Sequence, residues 1–275
     1  MTLGIDLGGT NLCLGLVDNG NVINSISVPS FSPDWTVEET LEYLSVQIEK
    51  LLTPETERIG IGVPSVVDVK KGIVYEAANI PSWKEVHLKE YLETRFNIPA
   101  NVNNDANCYA MGAYGKYPED AKPEVLVGIT LGTGLGVGIV HEGKLFCGAN
   151  CGAGELGYLA YGKSNLEEHC SKQFFFGTGW ESIEAAQAAQ AGDEKAIALF
   201  NEFGRHLGHA ICTFLYAYDP SHIVLGGGIA HAMPLFRDSM YAYMRENFPF
   251  GNILNNLKID VMTDGNIHLI GASLI

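Results

Sequence analysis

The sequence predicts an α/β fold of two duplicated domains with a cleft between them, and three observations predict it. Residues 9–23 recur as residues 132–146, with glycine, threonine and apolar residues at matching positions. Each copy has the pattern of a strand, a Gly-Thr turn, a second strand and a tight turn, and an internal repeat of this kind indicates duplication. Helices and short apolar strands then follow in both halves, which favours layered α/β architecture over an all-β sandwich.

The repeated Gly-Thr turn suits an anionic ligand. Glycine lets the backbone approach a ligand closely, successive N–H groups form a concavity for anions, and the hydroxyl of Thr10 or Thr133 adds a donor. Two such turns facing one cleft would hold a polyphosphate. The alternative is two tight hairpins that need glycine for steric reasons alone. It is less favoured, because a third glycine cluster at 226–228 precedes a helix whose N-terminus would point at a ligand.

The charge and composition of the chain argue against nucleic acid and membrane partners. The formal net charge of −15 argues against nucleic acid, which normally needs a basic surface. It does not exclude ATP, since backbone amides and Mg²⁺ neutralise phosphates locally. No apolar run reaches about 18 residues, so no membrane span is expected. A strand begins at Leu3, so we expect neither a signal peptide nor a preceding DNA-binding domain. The six cysteines are scattered, which indicates reduced thiols and a cytoplasmic location.

The first half combines short strands with amphipathic helices. A helix at 36–52 has one apolar stripe, and Thr36 with Glu39 forms a capping box at its start. The predicted strands are 3–7, 21–28 and 58–63, and the other helices are 84–96 and 106–114.

Two carboxylates in this half stand at strand positions where a chemical role is possible. Asp6 interrupts an apolar strand, which is costly without a partner. It could hold Mg²⁺, directly or through water, or cap the following glycine turn. Asp105 follows a short strand, among four asparagines, and precedes a helix. It could be a helix N-cap or a general base held over a cleft, and the residues alone leave both open.

The second half repeats the alternation. Strands are predicted at 125–131, 222–225 and 257–262, and helices at 181–190, 194–218, 230–246 and 269–275. Glu155 stands between Gly154 and Gly157, where it would either reach a ligand or lie solvated in a loop. The run 174–176 of three phenylalanines would be buried or would contact another subunit.

Two groups of metal-ligating residues in this half are weak candidates for an ion site. His206 and His209 share a helix face, where packing is favoured over a metal pair. A metal site of Cys147, Cys151, His169 and Cys170 is not favoured, because no Cys-x-x-Cys pair exists.

Seven motifs, taken in order over nearly the whole chain, resemble the ROK family of sugar kinases, within the hexokinase, Hsp70 and actin superfamily. They are Asp6-Leu7-Gly8-Gly9-Thr10-Asn11, Gly62-Val63-Pro64, Asn79 with Trp83, Asn104-Asp105-Ala106-Asn107, Leu131-Gly132-Thr133-Gly134-Leu135-Gly136, Gly154-Glu155-Leu156-Gly157 and Gly226-Gly227-Gly228-Ile229. The resemblance implies two actin-like (ribonuclease H-like) domains, each with a βββαβα core, around an interdomain cleft. The expected domains are 1–115, to which a helix at about 265–275 returns, and 116–264.

The resemblance also implies a function, the ATP-dependent phosphorylation of a hexose or N-acetylhexosamine hydroxyl. Asp105 would be the general base, and Asp6 would hold Mg²⁺, possibly through water. The other substrate-binding residues would be Ser65, Asn79, Asn104, Glu155 and Tyr158. ATP would be bound by Gly8, Gly9, Thr10, Asn11, Gly132, Thr133, Gly134, Gly226, Gly227 and Gly228. Sugar and ATP are the expected partners, with a homodimer as the expected assembly.

Two departures from the family pattern concern the sugar site. Tyr158 stands where the family commonly has histidine, and Lys172 where it commonly has a glutamate that touches the sugar. The cysteines of the family's zinc motif are reduced to Cys170, so no zinc site is expected. A lost buried partner costs about 1–3 kcal/mol, enough to change which sugar is accepted. The alternatives are a catalytically silent sugar or nucleotide sensor of the same fold, and an ATPase of the superfamily acting on another partner.

Overall fold

The computed structural model describes residues 1–77 and 79–275, and the chain divides into two compact units. The first unit comprises residues 1–122, 143–153 and 264–275, and the second comprises residues 123–142 and 154–263. The domain boundaries expected from the sequence, 1–115 and 116–264, stay a prediction. None of the helices in the described part of the chain combines the length and apolar composition needed to cross a bilayer.

The first unit is built on one mixed sheet. Its strand order is β3-β2-β1-β4-β8, with β1 antiparallel to β2 and parallel to β4, and β4 parallel to β8. The elements are β1 Thr2–Leu7, β2 Asn11–Asp18, β3 Asn21–Pro29, α1 Val37–Glu49, β4 Arg58–Val63, β5 Val66–Asp68, β6 Ile73–Tyr75, β7 Glu85–His87, α2 Leu88–Phe96, β8 Ala100–Asn104 and α3 Asp105–Gly115. The predicted capping box is present, with both reciprocal bonds between Thr36 and Glu39.

Part of the helix predicted at 84–96 is a strand. Residues Glu85–His87 form β7, which pairs antiparallel with β6, and β6 pairs with β5. The helix proper begins only at Leu88, whose side chain is fully buried. Pairing with β6, a strand 10 to 14 residues earlier, therefore overrides the local helical pattern.

The helix Asn266–Leu274, from the end of the sequence, packs into the core of the first unit, where its backbone directly contacts the backbone of α3 and β4. A Cβ added at Gly271 would overlap the carbonyl oxygen of Cys108 in α3, and one at Gly112 would overlap that of Ile267. On the sheet side, a Cβ at Gly60 in β4 would overlap the carbonyl oxygen of Ala272. Glycine is thus required at these positions because backbone touches backbone.

The sheet of the second unit repeats the arrangement of the first. Its strands run in the order β10-β9-β14-β15, with an antiparallel β9/β10 hairpin followed by two parallel pairings. The elements of this unit are β9 Val125–Leu131, β10 Leu135–His141, β12 Ala160–Tyr161, β13 Ser164–Asn165, α4 Leu166–Cys170, α5 Ser182–Gln190, α6 Glu194–Tyr218, β14 His222–Gly226, α7 Met233–Asn247, α8 Gly251–Asn256 and β15 Lys258–Val261. The remaining elements, β11 Lys144–Leu145 and α9 Asn266–Leu274, belong to the first unit. The matching order confirms the predicted duplicated α/β fold.

The three consecutive phenylalanines differ in environment. Phe175 is fully buried among the aromatic residues of α6 and α7, and Phe174 packs edge-on against it. Phe176 is 67% exposed. A 3₁₀ turn at Lys172–Phe175 points successive side chains in different directions, so the run is only partly buried.

An imidazole cluster surrounds Tyr161 in the second unit. The Tyr161 hydroxyl lies 2.9 Å from Nδ1 of His206, and the Tyr161 ring stacks on His209 at a centroid distance of 4.3 Å. The rings of His169 and His206 are 4.6 Å apart, and Glu202 lies 3.6 Å from Nε2 of His206. Desolvation, and then the nearby His169, lower the pKa of His206. The two histidines of α6 therefore have packing roles, as the sequence favoured.

We expect thermal stability to fall as the pH drops from about 7.5 to about 5.5, in the range where histidine titrates. The folded state lowers the pKa of His206 below its ordinary value. The unfolded chain therefore binds more protons on acidification, and stability present above the ordinary pKa is lost below it. His206→Gln should flatten the plot of Tm against pH, whereas His231→Gln, at an exposed position, should not. The same slope in H206Q and in the original protein would contradict the prediction.

Candidate active site

The first glycine turn, between β1 and β2, is held by backbone bonds and by one serine. The N–H of Gly8 donates to the carbonyl of Asn11 at 3.0 Å. Ser30 closes the other side, because its hydroxyl donates to the carbonyl of Gly8 at 2.7 Å and its N–H donates to that of Thr10 at 2.9 Å. Gly9 and Thr10 remain exposed, so their N–H groups can bind a ligand.

Asn79 lies directly against this turn. A Cβ added at Gly9 would lie 2.8 Å from Nδ2 of Asn79, so only glycine leaves room for the amide there. The side chain of Asn79 is exposed, which leaves it available to a ligand. A candidate sugar ligand and a candidate phosphate-binding turn are therefore neighbours in the first unit.

Asp6 sits in β1, between Cys13 of β2 and Gly62 of β4 in the sheet register. It is partly buried, and desolvation raises the pKa of its carboxyl, while the nearby His268 acts in the opposite direction. A carboxylate kept in such a place without a cation is unfavourable. Carboxylate oxygen is also the ligand that Mg²⁺ prefers. The surroundings of Asp6 therefore suit a residue that pairs with a bound cation.

Asp105 is the first residue of α3, and the cap of that helix is its neighbour. Oδ1 of Asn104 accepts from the N–H groups of Ala106 at 2.9 Å and Asn107 at 3.3 Å, which makes Asn104 the N-cap. Oδ1 of Asp105 accepts from the Ala106 N–H at 2.8 Å, and the side chain is partly exposed. Because Asn104 supplies the cap, Asp105 is not needed for it.

Ser65 follows the end of β4 and is hydrogen-bonded both to Asn104 and to the strand β6. Its carbonyl accepts from Nδ2 of Asn104 at 3.3 Å, and its hydroxyl donates to the carbonyl of Tyr75 in β6. The strands β4 and β8 are parallel, so their carboxyl ends meet at the same edge of the sheet. This edge carries Ser65, Asn104 and Asp105 together.

The second glycine turn, between β9 and β10, is in contact with Glu167, a residue that no sequence motif singled out. Oε2 of Glu167 accepts from the N–H of Leu135 at 3.0 Å, and a Cβ added at Gly134 would overlap that oxygen. Gln173 donates to Oε1 of Glu167 at 3.0 Å. The local signal was slight, since Glu167 follows the helix cap Asn165 like many first-turn acids.

Glu155 belongs to the same part of the second unit. Desolvation, and then the negative charge of Glu167, raise the pKa of the Glu155 carboxyl. Tyr158 follows at the end of a short 3₁₀ turn and is 73% exposed, and Lys172 is also exposed. The second unit thus carries two neighbouring carboxylates beside its glycine turn, with Tyr158 free to reach a ligand.

The third glycine cluster lies beside the second turn. Gly226 pairs with Thr130 in the sheet, and Gly227 has a φ of 78°. A Cβ at Gly227 would lie 2.5 Å from the carbonyl oxygen of Leu131. Positive φ and close approach both demand glycine here. The chain then enters a 3₁₀ turn at Gly228–Ala232 and the helix α7.

One group of side chains in the described ranges is close enough to share a metal ion, namely the exposed trio Glu124, His141 and Glu142. It contains no cysteine. Exposed acidic groups of this kind are common without an ion. The absence of a zinc site stays a prediction.

Comparison with known proteins places this arrangement among sugar kinases. The family model described as the ROK family matches residues 2–174 and 176–249. A glucokinase of Halalkalibacterium halodurans is 28% identical, over 84% of this chain and 81% of its own length. An N-acetyl-D-glucosamine kinase of Vibrio vulnificus is 30% identical, over 84% and 85%. The structure of a ROK family glucokinase from Streptomyces griseus in complex with glucose and AMPPNP has a TM-score of 0.82, with 27% identity over 99% of this chain and 97% of that one.

Proposed function

The chain belongs to the ROK family, and we propose that it is a kinase that transfers the γ-phosphoryl group of ATP to a hydroxyl of a hexose or an N-acetylhexosamine. One observation carries the proposal most directly. Asn79, a candidate sugar ligand, lies against Gly9 of a phosphate-binding turn. Phosphoryl transfer depends mainly on placing the acceptor beside the phosphate and neutralising charge. That contact supports such a placement within a single unit.

The first unit would supply the base and sugar contacts. Asp105 accepts the proton of the sugar hydroxyl, the oxygen forms a bond to the γ-phosphorus, and the bond to the β–γ bridging oxygen breaks as ADP leaves. Asn79, Asn104 and Ser65 orient the sugar, with Asn104 using the second hydrogen of an amide that already donates to Ser65. The residues Gly8, Gly9, Thr10 and Asn11 bind phosphate oxygens through N–H and hydroxyl groups.

The second unit would supply the remaining contacts. Residues 132–134 bind phosphate oxygens, and residues 226–228 leave room for the nucleoside. Glu155 and Tyr158 bind sugar hydroxyls. Glu167 lies close enough to Glu155 for its charge to raise the pKa of the Glu155 carboxyl, and we therefore include Glu167 among the sugar-binding residues. Asp6, in the first unit, would hold Mg²⁺, which neutralises phosphate charge when bound. The homodimer implied by the family resemblance and the cytoplasmic location inferred from the scattered cysteines stay predictions.

The test is a coupled assay of ADP release with Mg-ATP and a panel of hexoses and N-acetylhexosamines. We expect turnover on at least one sugar and none without sugar. ATP binding, detected by thermal shift, without turnover on any sugar would instead favour the sensor. Sugar-independent ADP release would favour an ATPase. The sensor is the less favoured alternative, because relatives that match over most of the chain include a glucokinase and an N-acetyl-D-glucosamine kinase.

We expect Glu167→Gln to lower kcat/KM for the sugar by about 10–100-fold, because glutamine keeps the shape but loses the negative charge, and a hydrogen bond to a charged group is worth about 1.5–3 kcal/mol. Its neighbour Glu168 is exposed and has the same charge, so Glu168→Gln is the matched control. Steady-state kinetics on both variants measure the effect. A lower Tm with an unchanged kcat/KM would show that Glu167 only supports the turn.

A further inference from the structure

A pair of cysteines in the first unit lies beside the strand end that carries Asp105, and the proposed function does not use it. Cys147 and Cys151 belong to the loop at 146–153, which the Ala153 N–H closes by donating to the carbonyl of Cys147 at 3.2 Å. Cys147 is partly exposed, whereas Cys151 is buried. Cys151 has a φ of 59°, unusual for a residue with a side chain. The loop therefore holds one thiol accessible and the other beneath it.

The side chains of two buried asparagines, Asn103 and Asn107, contact the sulfurs of Cys147 and Cys151. Nδ2 of Asn107 lies 3.8 Å from both sulfurs, and Nδ2 of Asn103 lies 3.8 Å from that of Cys147. The thiol of Cys151 donates to Oδ1 of Asn103 at 3.6 Å. Asn103 is 3% exposed and Asn107 is 2% exposed. Both sulfurs therefore share one amide, and their positions relative to each other are set by side chains with little freedom.

The surroundings make the two thiols chemically unequal. Two amide donors point at the sulfur of Cys147, which stabilises its thiolate. The neighbouring Cys151 thiol, and then the Asn103 amide, lower the pKa of Cys147 to about 6, although partial burial acts in the opposite direction. The same pairing, together with burial, raises the pKa of Cys151, which stays a thiol. An exposed thiolate next to a retained thiol is the arrangement that reacts with peroxides and then forms a disulfide.

One buried atom of this cluster lacks a partner. Oδ1 of Asn107 has no hydrogen-bond partner in the part of the chain that the structure describes. Buried acceptors are rarely left in this state. A hydroxyl added to the sulfur of Cys147 would bring a donor next to the Asn107 amide.

We propose that Cys147 is an oxidation site for hydroperoxides and that Cys151 resolves the product into a disulfide within the loop. The thiolate sulfur of Cys147 attacks the terminal oxygen of the hydroperoxide and keeps it as a hydroxyl group while the O–O bond breaks. The leaving alkoxide, or hydroxide when the oxidant is hydrogen peroxide, takes a proton from the solvent and departs as an alcohol or as water. The sulfur of Cys151 then attacks the sulfenic sulfur, the S–O bond breaks, and the thiol proton leaves with the oxygen as water. Two electrons pass from the thiol pair to the peroxide, and a dithiol reductant reverses the reaction.

The disulfide would act on the active site through Asn103. Oδ1 of Asn103 accepts from the Cys151 thiol, from Nδ2 of Asn107 and from the N–H of Asn104, the residue before Asp105. The disulfide removes the first of these donors and pulls the two sulfurs together. This part rests on the proposed kinase function. We expect kcat to fall by about tenfold or more, since a misplacement of about 1 Å can cost on the order of 10²-fold.

The experiment that tests the site uses intact mass spectrometry and needs no activity. The protein is treated with stoichiometric hydrogen peroxide, and non-reduced peptides are mapped. We expect loss of the mass of two hydrogen atoms, a crosslink between Cys147 and Cys151, and full reversal by dithiothreitol. Cys151→Ser should instead trap one added oxygen on Cys147, detectable with dimedone. Cys147→Ser should show neither product, while Cys13→Ser, which alters another partly exposed cysteine, should behave like the original protein.

Other outcomes would overturn the proposal. The first is an unchanged mass after peroxide treatment. The second is a crosslink that joins cysteines other than Cys147 and Cys151. The third is oxidation of the Cys147→Ser variant to the same extent as the original protein. Alkylation by iodoacetamide provides a second measurement in case a variant folds poorly. In the unmodified protein the rate at Cys147 should be half-maximal near the pKa of about 6, well below the value of about 8.5 for an ordinary thiol. A half-maximal rate at the ordinary value would also overturn it.

Activity is then measured in oxidised and reduced samples of the same protein. A mapped disulfide with unchanged sugar phosphorylation would retain the oxidation site and reject its effect on catalysis. No turnover in either sample, with the disulfide present, would count against the proposed kinase function and leave the oxidation site standing.

Discussion

Asp105→Asn is expected to lower kcat by about 10²–10⁴-fold, the usual contribution of a positioned general base, while ATP affinity stays near that of the unaltered protein. Asparagine has nearly the same shape and can still accept the bond that Asp105 takes from the Ala106 N–H. It cannot take a proton from the sugar. The loss should therefore fall on the chemical step, and KM for ATP should change little.

Two controls separate the base from the structural roles of this strand end. Asn104→Ala removes the N-cap of α3 and should destabilise the protein by about 0.5–2 kcal/mol, whereas Asp105→Asn should not. Asp120→Asn, at an exposed position of the first unit, should leave kcat and Tm unchanged. Nucleotide binding is measured by calorimetry and turnover by ADP release. An unchanged kcat in D105N would mean that another group removes the proton.

Gly271→Ala is expected to give the largest loss of stability, about 3 kcal/mol, at the upper end of the usual range for overpacking a core. The added methyl group would overlap the carbonyl oxygen of Cys108 in α3. That carbonyl is backbone, and it cannot swing aside as a flexible side chain does. Either α9 shifts away from α3, or the helix hydrogen bonds distort.

Chemical denaturation with urea measures the change, and Gly265→Ala is the matched control. No atom lies near a Cβ built on Gly265, at the start of the same helix. Its φ of −59° suits alanine, so this variant should unfold at the same urea concentration as the original protein. Equal stability of Gly271→Ala and the control would show that α9 is free to move relative to α3.

Predictions from the sequence succeeded where the determinants are local. The two hairpins follow from turn residues and alternating apolar residues within about 15 positions, which fix strand pairing directly. The helix start at Thr36 follows from a capping box of four residues, Thr36 to Glu39. The fold class then followed from recognising that the two hairpins are copies.

The predictions missed features that depend on contacts outside the segment concerned. The strand β7 exists because β6 pairs with it, and nothing within Glu85–His87 favours a strand over a helix. Glu167 reaches a turn about 30 residues before it, through its side chain. The cysteine cluster likewise joins Asn103 and Asn107 to a loop some 40 residues later. Periodicity and spacing cannot report such contacts.

The first unit is built from three separate segments of the chain, and this has a consequence for biosynthesis. Residues 1–122 leave the ribosome first, but the helix Asn266–Leu274, which fills the space between α3 and β4, emerges only after all of the second unit. Until that helix is made, the surfaces of α3 and β4 that it covers stay exposed, so the first unit completes its core only after the second unit has been synthesised.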